Sequence, residues 1–184
     1  MTSLEGQLLI AMPGMTDPNF NETVTYICKH DADGAIGIVV NRPLNMSLGE
    51  VVDQLNFENC LGEDAGQPVM NGGPVHPDRG FVLHQSSAAF DSTFDETAEV
   101  KVTVSQDILK SIAGGKGPKP VLVALGYAGW ASGQLESEIA ANAWLSAPTS
   151  PAVLFDTPVE QHWLAAASLL GVDIRQVTSY AGHA

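Results

Sequence analysis

The segment Gly126-Tyr-Ala-Gly-Trp-Ala-Ser-Gly-Gln134 is the feature that most restricts how this chain can fold. It follows an apolar run, residues 121–125, and precedes residues with the spacing of an amphipathic helix. A strand, a glycine-rich loop and a helix in this order can place backbone N–H groups in front of an anion. Glu136 and Glu138, however, occupy the first helical turn, and no lysine follows the last glycine. The segment therefore indicates a sharp structural turn in a loop, not a phosphate cradle.

Strands are predicted where β-branched and apolar residues cluster between turn signals. They cover residues 8–11, 23–30, 35–41, 69–71, 81–85, 99–104, 120–125 and 152–155. The turn Asp31-Ala-Asp-Gly34 joins the second and third of these predicted strands into a hairpin. Because the third is apolar on both faces, it is predicted to lie in the middle of a sheet.

Helix starts are marked by capping sequences. Ser47-Leu-Gly-Glu50 and Thr157-Pro-Val-Glu160 both fit the capping box, and a shorter helix is predicted for residues 105–112. The intermixed order of elements indicates an α/β (α+β) fold with a mixed sheet flanked by helices. We expect a single domain over residues 1–184, in which residues 179–184 form a frayed tail.

The charge excludes several classes of partner. Only eight lysines and arginines balance 21 acidic residues, for a net charge of −13, so direct nucleic-acid binding and attachment to an anionic membrane are not expected. Apolar runs fall short of the roughly 20 residues of a membrane span, and the first ten residues lack the basic start of a signal peptide. We expect an acidic cytoplasmic protein.

Chemistry-bearing residues do not form a recognisable catalytic pattern, so no catalytic residue is assigned. Cys28 and His30 lie two residues apart on a predicted strand, but further ligands at a suitable spacing are missing, and neither a metal nor a cofactor is expected. Ser132 and His84 could belong to a hydrolase triad only if folding brought them together. Arg42, after a buried strand, either clamps a carboxylate ligand or forms a structural ion pair.

Four ordered motifs resemble one family. Gly6-Gln-Leu-Leu-Ile-Ala-Met-Pro-Gly-Met-Thr-Asp-Pro-Asn-Phe20, Gly34-Ala-Ile-Gly-Ile-Val-Val-Asn-Arg-Pro43, Gly72-Gly-Pro-Val75 and residues 126–136 together closely resemble the YqgE/AlgH family of bacterial proteins. The resemblance implies a branched, partly barrel-like β-sheet surrounded by helices. It implies no reaction, and the AlgH name implies a regulatory link to alginate production. Since both capped helices lack lysine and arginine, transcriptional regulation through this chain would be indirect.

Two functions remain open. The first is a non-enzymatic binding or regulatory protein that acts through a protein or small-ligand partner, with Tyr127 and Trp130 on an exposed groove. The second is a small-molecule binder or enzyme whose pocket forms between Asn41-Arg42-Pro43, Gly72-Gly73 and residues 126–134. The candidate ligand or partner surface comprises Asn41, Arg42, Gly72, Gly73, Tyr127, Gly129, Trp130 and Gln134.

Overall fold

One ten-stranded sheet runs through the chain in the computed structural model, which describes residues 2–177. The predicted frayed tail, residues 179–184, lies outside the described residues. The strands are β1 (Gln7–Ala11), β2 (Val24–Asp31), β3 (Gly34–Val39), β4 (Pro43–Ser47), β5 (Pro68–Asn71), β6 (Val75–His84), β7 (Thr93–Phe94), β8 (Lys101–Thr103), β9 (Val121–Ala131) and β10 (Trp144–Pro148). Their main order is β10-β1-β2-β3-β9-β6-β8-β7, while β4 and β5 branch from β9. The predicted β2–β3 hairpin and the central position of β3 are confirmed.

The branch occurs on β9 because this strand is long enough to serve two parts of the sheet. Its last residues pair with β3, from Gly37↔Ala128 to Gly34↔Ala131. Its first residues pair antiparallel with β6, for example Val82↔Val123, and parallel with β5. The antiparallel part curls into a half-barrel, so the mixed, branched, partly barrel-like sheet is confirmed.

Helices cover the sheet at α1 (Leu48–Gln54), α2 (Gln106–Ala113), α3 (Gln134–Ala140) and α4 (His162–Ser168). The predicted capping box is confirmed at α1, where the Ser47 hydroxyl accepts the Glu50 N–H and the Glu50 carboxylate accepts the Ser47 N–H. Single helical turns occur at Gly62–Gly66, Ala152–Asp156, Val159–Gln161 and Ile174–Gln176. Among residues 2–177, no helix has the length and apolar character needed to cross a membrane.

Three local predictions are wrong. Residues 126–131 continue strand β9 instead of forming a loop, because both of their edges find partners in the sheet. The strand predicted for 152–155 is a helical turn, while the strand at this end of the chain is β10, which pairs with β1. Thr157 does not cap a helix: its hydroxyl donates to the Ala152 carbonyl, and α4 begins only at His162.

The apolar core is divided by the sheet. One cluster lies beneath α1 and α2, where Val52 and Ile108 are fully buried against Val123 of β9. A second lies on the opposite face and includes α4 residues, and a third surrounds Trp130 and Trp144 beside α3. The α1–α2 layer therefore stands over β6 and β9 where these strands meet.

Candidate functional site

Gly72-Gly73 and Gly126 cross with their backbones in contact. The Gly72 N–H donates to the Leu125 carbonyl at 2.8 Å, and a Cβ atom on Gly73 would lie 2.2 Å from the Tyr127 carbonyl carbon. Gly73 and Gly126 also have positive φ angles, +147° and +78°, which residues other than glycine rarely adopt. Two of the predicted site segments therefore meet, and they meet backbone to backbone.

This crossing forces strand β6 to bulge. Val75 pairs with Tyr127 and Gly80 pairs with Leu125, so residues 76–79 stand opposite Gly126 alone. Pro77 cannot donate a ladder hydrogen bond, which suits it to a bulge. His76 has φ +44°, a conformation that is strained for a residue with a side chain. The bulge therefore projects His76, Asp78 and Arg79 from the sheet.

A cleft of about 520 Å³ lies beside the bulge, between the end of α1 and the start of α2. Its apolar residues are Val51, Leu55, Val104, Leu109 and Leu125. Its polar residues are Gln54, His76, Asp78, Arg79 and Gln106, and Gly80 completes the lining. We call it the Arg79 cleft. Its volume and its apolar wall with a few polar groups are typical of small-molecule sites, which range from about 300 to 1,000 Å³.

Among residues 2–177, Arg79 is the only lysine or arginine in the lining of the Arg79 cleft. Within residues 2–177, no carboxylate oxygen lies within 4.0 Å of its guanidinium, although the protein has 21 acidic residues. Its guanidinium carbon lies 5.8 Å from the centroid of the Phe81 ring, two residues along the strand. An aromatic ring at this distance orients a guanidinium and leaves its N–H groups available to a ligand.

Tyr127 supports the bulge from behind. Its half-buried ring lies 6.0 Å from the His76 ring and 5.8 Å from the Phe81 ring, measured between centroids. The Phe81 ring meets it edge-on, a favourable aromatic arrangement. Tyr127 therefore connects the glycine crossing to His76, which lines the Arg79 cleft, and to Phe81, the ring beside the Arg79 guanidinium.

Arg42 lies in a separate, smaller pocket of about 190 Å³ whose lining includes Asn71 and Gly73. Its Nη2 donates to the side-chain and backbone oxygens of Asn21 and approaches the Pro18 carbonyl at 3.5 Å. The structure thus brings Arg42 and Gly73 together, but the pocket contains no residue of 126–134. Within residues 2–177, Arg42 forms no ion pair with a carboxylate of the chain, and its partners are an amide oxygen and carbonyl oxygens.

Trp130 and Gln134 surround one carboxylate. The indole N–H groups of Trp130 and Trp144 donate to Glu138 Oε2 at 2.9 and 2.8 Å, and the Gln134 amide donates to Glu138 Oε1. Trp130 is only 6 % exposed and packs near Trp144 and Phe20. This network fixes the junction of β9 and α3 and explains the aromatic and amide residues of the 126–134 segment.

The remaining sequence candidates make contacts within the chain. Asn41 accepts the Val24 N–H and donates to the Glu22 carbonyl. Gly129 is exposed on β9, where an added Cβ would meet only ordinary contacts. Neither residue lines the Arg79 cleft.

The histidines and cysteines noted in the sequence are held by structural contacts. His30 accepts the Leu4 N–H through Nδ1, so its Nε2–H donates to Glu136 at 2.9 Å. Cys28 is buried, and this burial raises the pKa of its thiol. Within the described part of the chain, no three histidine, cysteine, aspartate or glutamate side chains form a group suited to a metal ion.

A cavity of about 570 Å³ lies at the opposite ends of α1 and α2, where Leu48 and Ile112 contribute to its wall. Lys119 is its cation, and Lys119 is already paired with Asp64. The Arg79 cleft is smaller, but it combines a strained backbone with an arginine that lacks such a partner. We therefore take the Arg79 cleft as the candidate site.

The sequence did not reveal His76, Asp78 and Arg79 as site residues. The strand predicted from the sequence begins at residue 81, so residues 76–79 fall in the segment before it. The usable signal was Pro77 among polar residues between two strand-like runs, since proline within a strand indicates an edge or a bulge. Its position opposite Gly126 depends on long-range pairing that local sequence does not encode.

Comparisons with known proteins agree over nearly the whole chain. The sequence profile described as AlgH-like matches residues 8–175. A UPF0301 protein of Saccharophagus degradans is 51% identical over 182 residues, covering 99% of this chain and 89% of the relative. A UPF0301 protein of Xanthomonas campestris pv. campestris is 49% identical over 183 residues, covering 100% and 97%.

Two solved structures share the fold. The solution structure of the AlgH protein from Pseudomonas aeruginosa has a TM-score of 0.78 and 46% identity, and the match covers 100% of this chain and 99% of that one. The crystal structure of a protein from Corynebacterium diphtheriae has a TM-score of 0.72 at 19% identity, with 90% and 86% covered. At that identity, the second match shows the fold alone.

Proposed function

Because the chain belongs to the AlgH-like family, a group of bacterial proteins without an assigned activity, we propose its function from the geometry of its site. The protein is a non-enzymatic protein that binds a small ligand in the Arg79 cleft. The observation that carries the proposal is the strained bulge beside an open, half-apolar cleft. Backbone strain costs on the order of 1–3 kcal/mol and persists where surrounding structure enforces it, often at binding sites.

The cleft is suited to binding more than to catalysis. Among residues 2–177, its lining contains no serine, threonine, cysteine or lysine, which leaves His76 and Asp78 as the side chains with nucleophilic capacity. Arginine, glutamine and an apolar wall are groups that orient a ligand and shield it from water. This composition supports a binding role without a covalent step.

A regulatory role would follow from occupancy of the cleft. The net charge of −13 opposes direct contact with DNA, so an occupied protein would act through a protein partner in the cytoplasm. The cleft involves α1 and α2, whose ends both contribute to its wall. A ligand that joins these helices would stabilise one arrangement of them, and a partner could distinguish that arrangement.

The alternative is the pocket that contains Arg42 and Gly73. Its volume of about 190 Å³ lies below the usual range for drug-sized ligands. Arg42 Nη2 also donates hydrogen bonds to Asn21, which reduces the capacity of the guanidinium for a two-bond contact with a ligand. An ion or very small molecule would suit this pocket, either as a ligand or as the substrate of an enzyme.

Native mass spectrometry of protein purified gently from its bacterial host tests the proposal. We expect the wild-type protein to retain a small molecule, which Arg79→Gln loses. Arg175→Gln is the matched control, because Arg175 is an exposed arginine that does not line the cleft. Retention by Arg79→Gln together with loss by Arg42→Gln would overturn the assignment in favour of the Arg42 pocket.

A further inference from the structure

The charges around the Arg79 cleft restrict its ligand. Arg79 supplies one positive charge to the lining and Asp78 supplies one negative charge. Beyond the cleft, the protein carries a net charge of −13, which repels anions at long range. A ligand with a single negative charge can gain a short-range pair with Arg79, whereas a polyanion would meet Asp78 and the field of the whole protein.

The geometry of Arg79 favours a planar anionic group. Its guanidinium carbon lies 5.8 Å from the Phe81 ring centroid, and no carboxylate of residues 2–177 occupies its N–H groups. A guanidinium presents paired N–H donors that match the two oxygens of a carboxylate. The carboxylate of a ligand can therefore occupy the position beside the Arg79 guanidinium that a carboxylate of the protein would take in a structural ion pair.

The apolar part of the lining favours an apolar body. Leu55 directly after α1, Leu109 from α2 and Leu125 from β9 all line the cleft, and Gln54 and Gln106 supply amides that can bond to polar substituents. Burial of apolar ligand surface against these leucines favours binding in proportion to the area removed from water. A charged group alone would leave this wall unused.

We infer that the Arg79 cleft binds a small organic monocarboxylate, with its carboxylate on Arg79 and its apolar body against Leu55, Leu109 and Leu125. This inference rests on the proposed function and adds the chemical class of the ligand. The anion pairs with the arginine, the apolar body covers the leucines, and the glutamines set preferences among substituted acids.

Isothermal titration calorimetry with four matched probes tests the ligand class. Phenylacetate, phenylacetamide, phenethylamine and benzylphosphonate share an aromatic body and differ in the charge of the head group. For the wild-type protein, phenylacetate should bind about tenfold or more tightly than phenylacetamide, the range expected for a charge-assisted contact. Phenethylamine should bind most weakly, and benzylphosphonate, at a pH alkaline enough to make it mainly a dianion, should bind less tightly than phenylacetate.

Variants assign the preference to Arg79. Arg79→Gln should bring phenylacetate to within about twofold of phenylacetamide, while Arg175→Gln should keep the wild-type ratio. Equal wild-type affinities for the acid and the amide, or tighter binding of benzylphosphonate, would overturn the ligand class and leave the cleft as a binding site. Failure of the proposed function itself gives a different result, namely that no small molecule of any class binds at the cleft.

Discussion

Gly126 approaches Gly73 so closely that a Cβ atom on Gly126 would lie 2.5 Å from the Gly73 carbonyl oxygen. The two glycines are 53 residues apart in sequence, and their contact is made by backbone atoms. Because residues 76–79 stand opposite Gly126, this contact determines where the bulge leaves the sheet. The glycines thus position the Arg79 cleft although neither of them lines it.

Gly126→Ala should destabilise the protein strongly. The methyl group would meet the Gly73 carbonyl, and an alanine at φ +78° is strained, so we expect a loss of about 3 kcal/mol or more in the free energy of unfolding. Gly133→Ala is the matched control, because Gly133 has φ +73° but nothing within 4 Å of an added Cβ. It should lose only about 1 kcal/mol in urea denaturation. Equal losses for the two variants would mean that the close crossing is unimportant.

Glu138→Ala should loosen the junction of β9 and α3. The variant leaves the indole N–H groups of Trp130 and Trp144 without their acceptor, at a cost of about 1–3 kcal/mol for each buried donor. Glu138→Gln keeps an acceptor oxygen and should lose less. The free energy of unfolding and the near-ultraviolet circular dichroism of the tryptophans measure the effect, with exposed Glu160→Ala as the control. If Glu138→Ala matches Glu160→Ala, the shared carboxylate does not hold the indoles.

His76→Gly should raise stability and weaken ligand binding. Glycine relieves the strain of φ +44°, a gain of about 1 kcal/mol, but removes a side chain from the lining of the cleft. Glu22→Gly is the control, because Glu22 has φ +56° and does not line the cleft. It should gain similar stability with unchanged affinity. Thermal unfolding and calorimetry separate the two effects, and a His76→Gly protein that binds phenylacetate as the wild type does would remove His76 from the site.

The protein should lose stability as the pH falls below about 6.5, the ordinary pKa of histidine. Burial lowers the pKa of His84 and of His162 in the folded protein. Below that pH the unfolded chain then binds more protons than the folded chain. The contribution of these histidines to the free energy of unfolding is therefore present above pH 6.5 and is lost as the pH falls toward their pKa values in the folded protein.

Urea denaturation between pH 8 and 5 measures this loss. His84→Gln and His162→Gln should each flatten the decline. Asp31 contributes at lower pH, because its hydrogen bond with Lys29 lowers the pKa of its carboxyl. A wild-type protein with constant stability from pH 8 to 5 would contradict the lowered pKa values of His84 and His162.

Local patterns were sufficient for much of the fold. The capping box at Ser47, the β2–β3 hairpin and the buried strand β3 depend on residues close in sequence, and each is confirmed. The strand β10 was not predicted because Trp144–Pro148 has only two large apolar residues followed by serine, alanine and proline, and its pairing partner β1 lies more than 130 residues away. Propensity is weak where tertiary pairing decides the conformation.

The candidate site was less predictable than the fold. The sequence identified Gly72-Gly73 and Gly126 as special, and the structure gives the reason in their backbone contact. The sequence did not show that residues 76–79 would bulge out of the strand at this contact, because the bulge depends on the pairing of Val75 with Tyr127 and of Gly80 with Leu125. Arg79 had no local signal at all, since the absence of an acidic partner is a property of the folded chain.

Amide chemical-shift mapping in a fragment screen tests the central claim most directly, because it requires no prior choice of ligand. Fragments of all charge types would be added to ¹⁵N-labelled wild-type protein, and the shifted amides would be placed on the structure. We expect the shifted amides to cluster on the Arg79 cleft, at Gln54, Leu55, Gly80, Gln106 and Leu109. The Arg79→Gln variant should lose binding of the anionic fragments. Hits confined to the Arg42 pocket or to the cavity beside Lys119, or no hits at the cleft, would contradict it.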